Sequence, residues 1–207
     1  MIRIKSHAQQ RGIGMVEVLV TMVILAVGLL GVTNLQFAAA KHNSDALART
    51  QAILALEQFT ERLRSAAVVG STGDALVLPE KYFDQSLYQF GHLSCSTGES
   101  PYFCYCDAFP GALTNCHALT CDLNQTAIFD IYQASCQVVQ HNPAAELSMQ
   151  CIDNDATDSL SCSGGSRHIL MVRWPSLPWQ NQAQFLSTLC NPNESDQYAC
   201  VTQEVFF

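Results

Sequence analysis

The sequence predicts an α+β fold in which a long N-terminal helix packs on a small, disulfide-rich antiparallel sheet. Three observations support this prediction. The apolar run VLVTMVILAVGLLGV occupies residues 18–32 and continues into a helical pattern, with no proline before Pro79. All ten cysteines lie after residue 90. Short apolar runs separated by polar turns then follow, which is typical of a small sheet.

Length and charge set the first limits on function. With 207 residues, 48% of them hydrophobic, the chain can bury one ordinary core, so one main domain is expected. The first twelve residues carry Arg3, Lys5 and Arg11 and no acid, which leaves 7 basic and 18 acidic residues in the remainder, a charge of −11. An acidic body repels a phosphate backbone, so no nucleic-acid binding is expected.

Residues 13–33 are predicted to span a membrane. The segment from Ile13 to Val32 is 20 residues long, enough to cross a hydrocarbon core as a helix. Glu17 is its one charged side chain. A carboxylate within a span costs about 2.5 to 3.5 kcal/mol, so Glu17 is either paired with another group or lies at the membrane interface. Position alone leaves both interpretations open.

Residues 34–68 are predicted to continue this helix as an amphipathic segment. No glycine occurs between Gly31 and Gly70, so nothing obliges the helix to stop there. Apolar residues recur at spacings of three, four and seven, namely Leu47, Ile53, Leu54, Leu56, Phe59, Leu63 and Ala67. One helix over residues 13–68 is expected, and a signal-anchor helix followed by a separate short helix is the alternative.

The cysteines indicate disulfides formed outside the cytoplasm, because their number is even and their surroundings are loop-like. They are Cys95, Cys104, Cys106, Cys116, Cys121, Cys136, Cys151, Cys162, Cys190 and Cys200. Their pairing cannot be read from spacing, although Cys151 with Cys162 and Cys190 with Cys200 are plausible local bridges. The cysteines around His117 lack the paired C-x-x-C of a structural zinc site, so no metal and no cofactor are expected.

Residues 69–207 are predicted to form the globular head. Its candidate strands are residues 75–78, 127–132, 135–139, 168–174 and 198–205. Ser163-Gly-Gly-Ser166 is a turn that suits a hairpin before the fourth of these runs. Residues 95–121 are too short and too rich in cysteine for a regular element and are expected to form a stapled loop.

Few residue patterns in the head indicate chemistry. Asp153, Asp155 and Asp158 are spaced like oxygen ligands, but the glycine and glutamate of an EF-hand are missing, so a solvated turn is favoured and calcium binding stays open. The six histidines show no shared ligand spacing. No nucleophile elbow, phosphate loop or pair of catalytic carboxylates occurs, so the chain is not expected to be an enzyme.

The N-terminus resembles a prepilin cleavage signal. Residues 10–19, QRGIGMVEVL, contain the end of a basic leader, at Gly12. A glutamate, Glu17, stands at the fifth position after that glycine. The continuation through Gly31, Leu35 and Gln36 is similar to the minor pilins of the PilV family, the type IV pilus modification proteins. The resemblance implies a pilin fold, removal of residues 1–12 by prepilin peptidase, and N-methylation of Ile13.

The resemblance also implies a function. A protein of this family is a minor pilin that enters or primes the type IV pilus at its tip and supports assembly, adhesion or motility. Its partners are other minor pilins, the major pilin and a tip adhesin. It starts as a single-pass inner-membrane protein with a periplasmic head and ends in the pilus. Glu17 would neutralise the new Ile13 amine between neighbouring helices and so check their register.

Other interpretations of the same residues stay open. A pseudopilin of a type II secretion system has the same N-terminal pattern. Residues 37–40, FAAA, also fit an ordinary signal peptidase site, and cleavage there would release a secreted, disulfide-rich binding module that begins at Lys41. A membrane-anchored binding module is the third alternative. The mass of the mature N-terminus distinguishes cleavage after Gly12 from cleavage after Ala40.

Overall fold

The computed structural model describes residues 14–70, 75–95, 98–155, 157, 160–176, 188–193 and 197–207. The chain divides into two compact units, residues 1–46 and 47–207. The predicted α+β class is confirmed, because a long N-terminal helix is followed by a second helix and a small antiparallel sheet with several disulfides.

Helix α1, Met15–Ala66, is the longest element of the chain. It contains no proline, and Gly28 and Gly31 are its only glycines, so its sequence permits a continuous helix. The helix ends at Ala66, just before strand β1, Val68–Val69. Ile13, where the predicted helix begins, lies outside the described residues.

In the second unit, α1 buries one stripe of its surface in the head. Ala52, Ala55, Leu56, Phe59 and Leu63 recur at the three- and four-residue spacing of one helix face, and all are at most 5% exposed. Phe59 packs against the rings of two tyrosines, Tyr82 and Tyr88, at centroid distances of 6.4 and 6.2 Å. This stripe is the α1 contribution to the main core.

The head contains two antiparallel sheets in its described part. Strand β1 pairs with β2, Leu76–Val77. The larger sheet has the order β3-β4-β5, formed by Glu146–Ile152, Arg167–Pro175 and Tyr198–Phe206. The predictions at 168–174 and 198–205 are confirmed, and the one at 75–78 contains β2. Strand β3 was not predicted.

The predicted strands at 127–132 and 135–139 are wrong, because both lie in helix α2, Leu123–His141. The helix begins with a capping box in which Asp122 accepts from the backbone of Gln125, while the Gln125 side chain accepts from the backbone of Asp122. No glycine or proline interrupts it. Its buried apolar residues recur at helical spacing, namely Ala127, Ile131, Ala134 and Val138. This burial pattern favours a helix over a strand.

Candidate functional site

The apolar N-terminal part of α1 is the first candidate site. Every residue from 14 to 40 is exposed in the structure. One window of 18 residues within α1 has a mean hydropathy of 2.5 and is not buried at all. The helix is therefore long and apolar enough to cross a membrane. Because apolar surface left in water costs about 25 cal/mol per Å², this surface is unfavourable in water.

The hydroxyl groups on this surface are satisfied within the helix. Thr21 donates to the carbonyl of Val18, and Thr33 donates to that of Leu30, each at 2.9 Å. An apolar environment therefore meets no unpaired hydroxyl at these two positions.

Glu17 lies in the first turn of α1 with its side chain exposed. Its backbone N–H donates to the carbonyl of Gly14 at 2.9 Å, which helps to start the helix. A carboxylate here is favoured by the positive end of the helix dipole. The next charged residue along the chain is Lys41, so Glu17 is the single charge of a long apolar surface. Gly12 and Ile13 lie outside the described residues, and their roles stay predictions.

Gly28 and Gly31 form a second feature of this surface. A Cβ atom added at either position would meet no atom within 4 Å. The contacts of the chain with itself therefore do not require glycine at these positions. Each glycine lowers helix stability by about 1 kcal/mol relative to alanine, and each allows a close approach by another helix.

Disulfides join all ten cysteines of the head in five pairs. Three lie in or near the stapled loop, namely Cys95–Cys104, Cys106–Cys136 and Cys116–Cys121. Two join the sheet region, Cys151–Cys162 and Cys190–Cys200, and these are the two local bridges considered plausible from spacing.

The Cys106–Cys136 disulfide ties the stapled loop to helix α2. Cys106 ends a single π-helical turn, Tyr102–Cys106, and Cys136 lies in α2. Beside the disulfide, the ring of Tyr105 stacks on Phe90 at 4.7 Å, and the hydroxyl of Tyr132 donates to the Tyr105 carbonyl at 2.8 Å. The disulfide thus fixes a small second core that the sequence did not reveal.

A polar network joins α1 to α2 within the head. Asp130 of α2 accepts from the Arg62 guanidinium at 3.0 Å and from the Tyr82 hydroxyl at 2.8 Å. Arg62 also donates to Gln133 at 2.6 Å, and the amide of Gln133 lies 3.0 Å from a ring nitrogen of His117. Burial raises the pKa of Tyr82 far above its usual value, and the Asp130 charge adds to the effect. Tyr82 is therefore a neutral donor.

The carboxylate of Asp153 stabilises the acidic turn after β3 through hydrogen bonds. Asp153 accepts from the backbone N–H of Ser163 at 3.0 Å and from the Ser166 hydroxyl at 2.9 Å. These hydrogen bonds lower the pKa of Asp153 to about 2. Asp155 accepts from Thr157, and Asp158 lies outside the described residues. One carboxylate oxygen of Asp153, Oδ1, is thus already a hydrogen-bond acceptor within the turn.

One group of side chains was missed by sequence reasoning. His168 of β4 is the cross-strand partner of Cys151 of β3, and the turn between the strands brings Cys162 to within 3.2 Å of His168 Nε2. The expectation about shared ligand spacing concerned the histidines alone, whereas this group joins one histidine to two cysteines. The signal in the sequence was a histidine six residues after a cysteine, with both in one hairpin.

The comparisons with known proteins concern the N-terminus. Residues 7–33 match the family model described as the prokaryotic N-terminal methylation motif. The match covers residues 7–12 of the leader, including Gly12, as well as Glu17 and all of the apolar run at 18–32. No curated protein and no solved structure matches the chain. The match and the apolar helix together support a prepilin-type, type IV pilin-like protein that prepilin peptidase processes.

Proposed function

We propose that this chain is a minor pilin that enters or primes the type IV pilus through α1 and presents its head to other pilins. The observation that carries the proposal is the placement of Glu17, five residues after Gly12, as the single charge on the unburied part of α1 up to residue 40. A membrane anchor needs no such charge, whereas an assembling helix can use it to meet a partner.

The proposal assigns a role to each segment. Residues 1–12 are the cleaved leader, residues 13–33 the membrane span, residues 34–68 the amphipathic part of the helix, and residues 69–207 the head. Cleavage after Gly12 creates a positive amine at Ile13. Glu17 pairs with the amine of its own or an adjacent subunit, because no basic side chain lies between Arg11 and Lys41. The head lies in the periplasm before assembly and on the pilus afterwards.

The first test is the mass of the mature protein. Cleavage after Gly12 followed by methylation gives a chain of 207 − 12 = 195 residues that begins at N-methylated Ile13. A mature chain that begins at Lys41 contradicts the proposal and favours a secreted module.

The second test compares Glu17→Leu and Glu17→Gln with the matched control Thr21→Leu, one turn further along the same helix. Removal of one partner of a buried ion pair costs about 3 to 5 kcal/mol, so both Glu17 variants should be recovered in sheared pili at least about tenfold less than wild type. Their processed mass should be normal. The Thr21 variant should assemble, because its hydroxyl bonds only within the helix. Equal recovery of all three variants would show that Glu17 has no role in assembly.

A further inference from the structure

The group formed by Cys151, Cys162 and His168 is placed for a second chemistry. Among the described residues, it is the one group of three Cys, His or acidic side chains whose ligand atoms come together, all within 4.8 Å of one another. Cys151 and His168 are directly opposite in the β3–β4 register, and Cys162 reaches them from the connecting turn. Three separate backbone positions thus converge on one point at the end of the sheet.

His168 is an unusual residue at this position. It is 2% exposed, its ring stacks on Phe83 at 5.8 Å, and it meets the edge of Phe207 at 5.1 Å. Its Nε2 faces the Cys162 sulfur at 3.2 Å.

Burial of the His168 imidazole destabilises the head while the Cys151–Cys162 disulfide is intact. A disulfide sulfur is a weak hydrogen-bond partner, so Nε2 has no strong partner there, and a buried unsatisfied polar group destabilises a protein by about 1 to 3 kcal/mol. An apolar side chain between Phe83 and Phe207 would avoid this cost. The position is explained if Nε2 gains a partner in another state of the same three residues.

We propose that Cys151, Cys162 and His168 form a redox-gated site for a borderline-soft divalent cation such as Zn²⁺, closed by the disulfide and opened by its reduction. A dithiol reductant gives two electrons and two protons to the disulfide and becomes a disulfide itself, which leaves two protein thiols. Zn²⁺ then binds both sulfurs and His168 Nε2, and the two thiol protons leave to solvent.

The distances suit this step. Tetrahedral zinc with Zn–S of about 2.3 Å and Zn–N of about 2.0 Å needs a sulfur-to-nitrogen distance of about 3.5 Å, and Nε2 already lies 3.2 Å from the Cys162 sulfur. The two sulfurs need to separate to about 3.8 Å, which reduction of their bond permits. Three protein ligands leave one position for water or for a group of another molecule.

The test uses the full chain, purified in detergent with its disulfides intact and then titrated with dithiothreitol under anaerobic conditions. Alkylation and peptide mapping identify which cysteines open at each step. Co²⁺ is the probe, because thiolate ligation gives it a charge-transfer band, and Zn²⁺ competition then measures affinity. The variant Cys151→Ser/Cys162→Ser removes the site. The control Cys190→Ser/Cys200→Ser removes another disulfide of nearly equal span, 10 residues against 11.

Once Cys151 and Cys162 are mapped as reduced, wild type and the control variant should bind about one equivalent of Co²⁺. The Cys151→Ser/Cys162→Ser variant should lose the charge-transfer band. His168→Gln, with its disulfide intact before reduction, should bind at least about tenfold more weakly, the loss typical even of residues that only orient a ligand. Equal Co²⁺ binding by wild type and Cys151→Ser/Cys162→Ser overturns the proposal. So does an absence of binding by wild type with this pair open, or opening of the pair only after the head unfolds.

Discussion

The Cys106–Cys136 disulfide should stabilise the head more than any local bridge of the stapled loop. The reason is the length of chain that it closes, which is 30 residues, against 5 for Cys116–Cys121. The chain-entropy model gives about 3.6 kcal/mol for the longer loop and about 2.1 kcal/mol for the shorter one at 25 °C. We therefore expect a difference of about 1.5 kcal/mol between the two double serine variants.

The comparison is matched in chemistry. All four cysteines are half-buried, so the cost of placing serine is similar in both variants and largely cancels. The assay is guanidinium unfolding of the purified, oxidised chain in detergent, followed by near-ultraviolet circular dichroism. Hydrogen exchange should also accelerate in the π-helical turn of Cys106→Ser/Cys136→Ser, because the disulfide anchors that turn to α2. Equal destabilisation by the two variants would refute the loop-closure reasoning.

Three further predictions concern the polar groups of the head. Asp130→Ala should lower the free energy of unfolding by about 2 to 4 kcal/mol, because it leaves the fully buried Tyr82 hydroxyl unpaired and Arg62 without its carboxylate. A double-mutant cycle with Tyr82→Phe should show a coupling of about 1 to 2 kcal/mol, and additive unfolding energies would contradict this. Burial raises the pKa of Tyr82 and Tyr88, so their contribution to the stability of the head is complete below about pH 10 and is lost as pH rises above it. Denaturant midpoints in alkaline buffers will measure this loss. The pKa of Asp153 is lowered to about 2, so its hydrogen bonds stabilise the turn above about pH 4 and are lost as pH falls towards 2. Asp153→Asn should abolish this acid dependence in hydrogen exchange of the turn. An unchanged pH profile in the variant would count against it.

The sequence was most informative where one periodicity runs without competition. Helix α1 was predictable because apolar spacing, the absence of proline and the absence of glycine between Gly31 and Gly70 all indicate the same element. Strands β4 and β5 were predictable for a similar reason, since β-branched and aromatic residues cluster between turn residues. At each of these positions, local preference and tertiary burial agree.

Helix α2 shows where this agreement fails. Its residues Ile128, Phe129, Ile131 and Tyr132 favour a strand locally, and short apolar runs do not distinguish strand from helix. The capping box at Asp122 and the buried face from Ala127 to Val138 decide the outcome, and only the second of these needs the folded structure. The Asp122-x-x-Gln125 pattern was a readable signal of a helix start that the strand interpretation overlooked.

The other three disulfide pairs and the His168 group could not be predicted for a different reason. Ten cysteines allow too many pairings for spacing to decide among them, and the pairing depends on which segments the fold brings together. Cys106 meets Cys136 only because residues 127–139 are helical, so the error about α2 also concealed this bridge. Likewise, His168 meets Cys151 only through the β3–β4 register, and β3 itself was not predicted.

The two parts of α1 are adapted to different surroundings, and this difference explains why one charge matters so much in the first part. From Leu47 onward, the helix alternates buried residues with exposed charged ones such as Glu57, Glu61 and Arg64, so one face contacts the head core and another contacts water. From Met15 to Val32, Glu17 and Thr21 are the only polar side chains, and the Thr21 hydroxyl is satisfied within the helix. A surface of that kind suits lipid or neighbouring apolar helices equally well. Glu17 is the one charged side chain on it, so its energy depends most strongly on whether an amine, its own or that of an adjacent subunit, lies within reach.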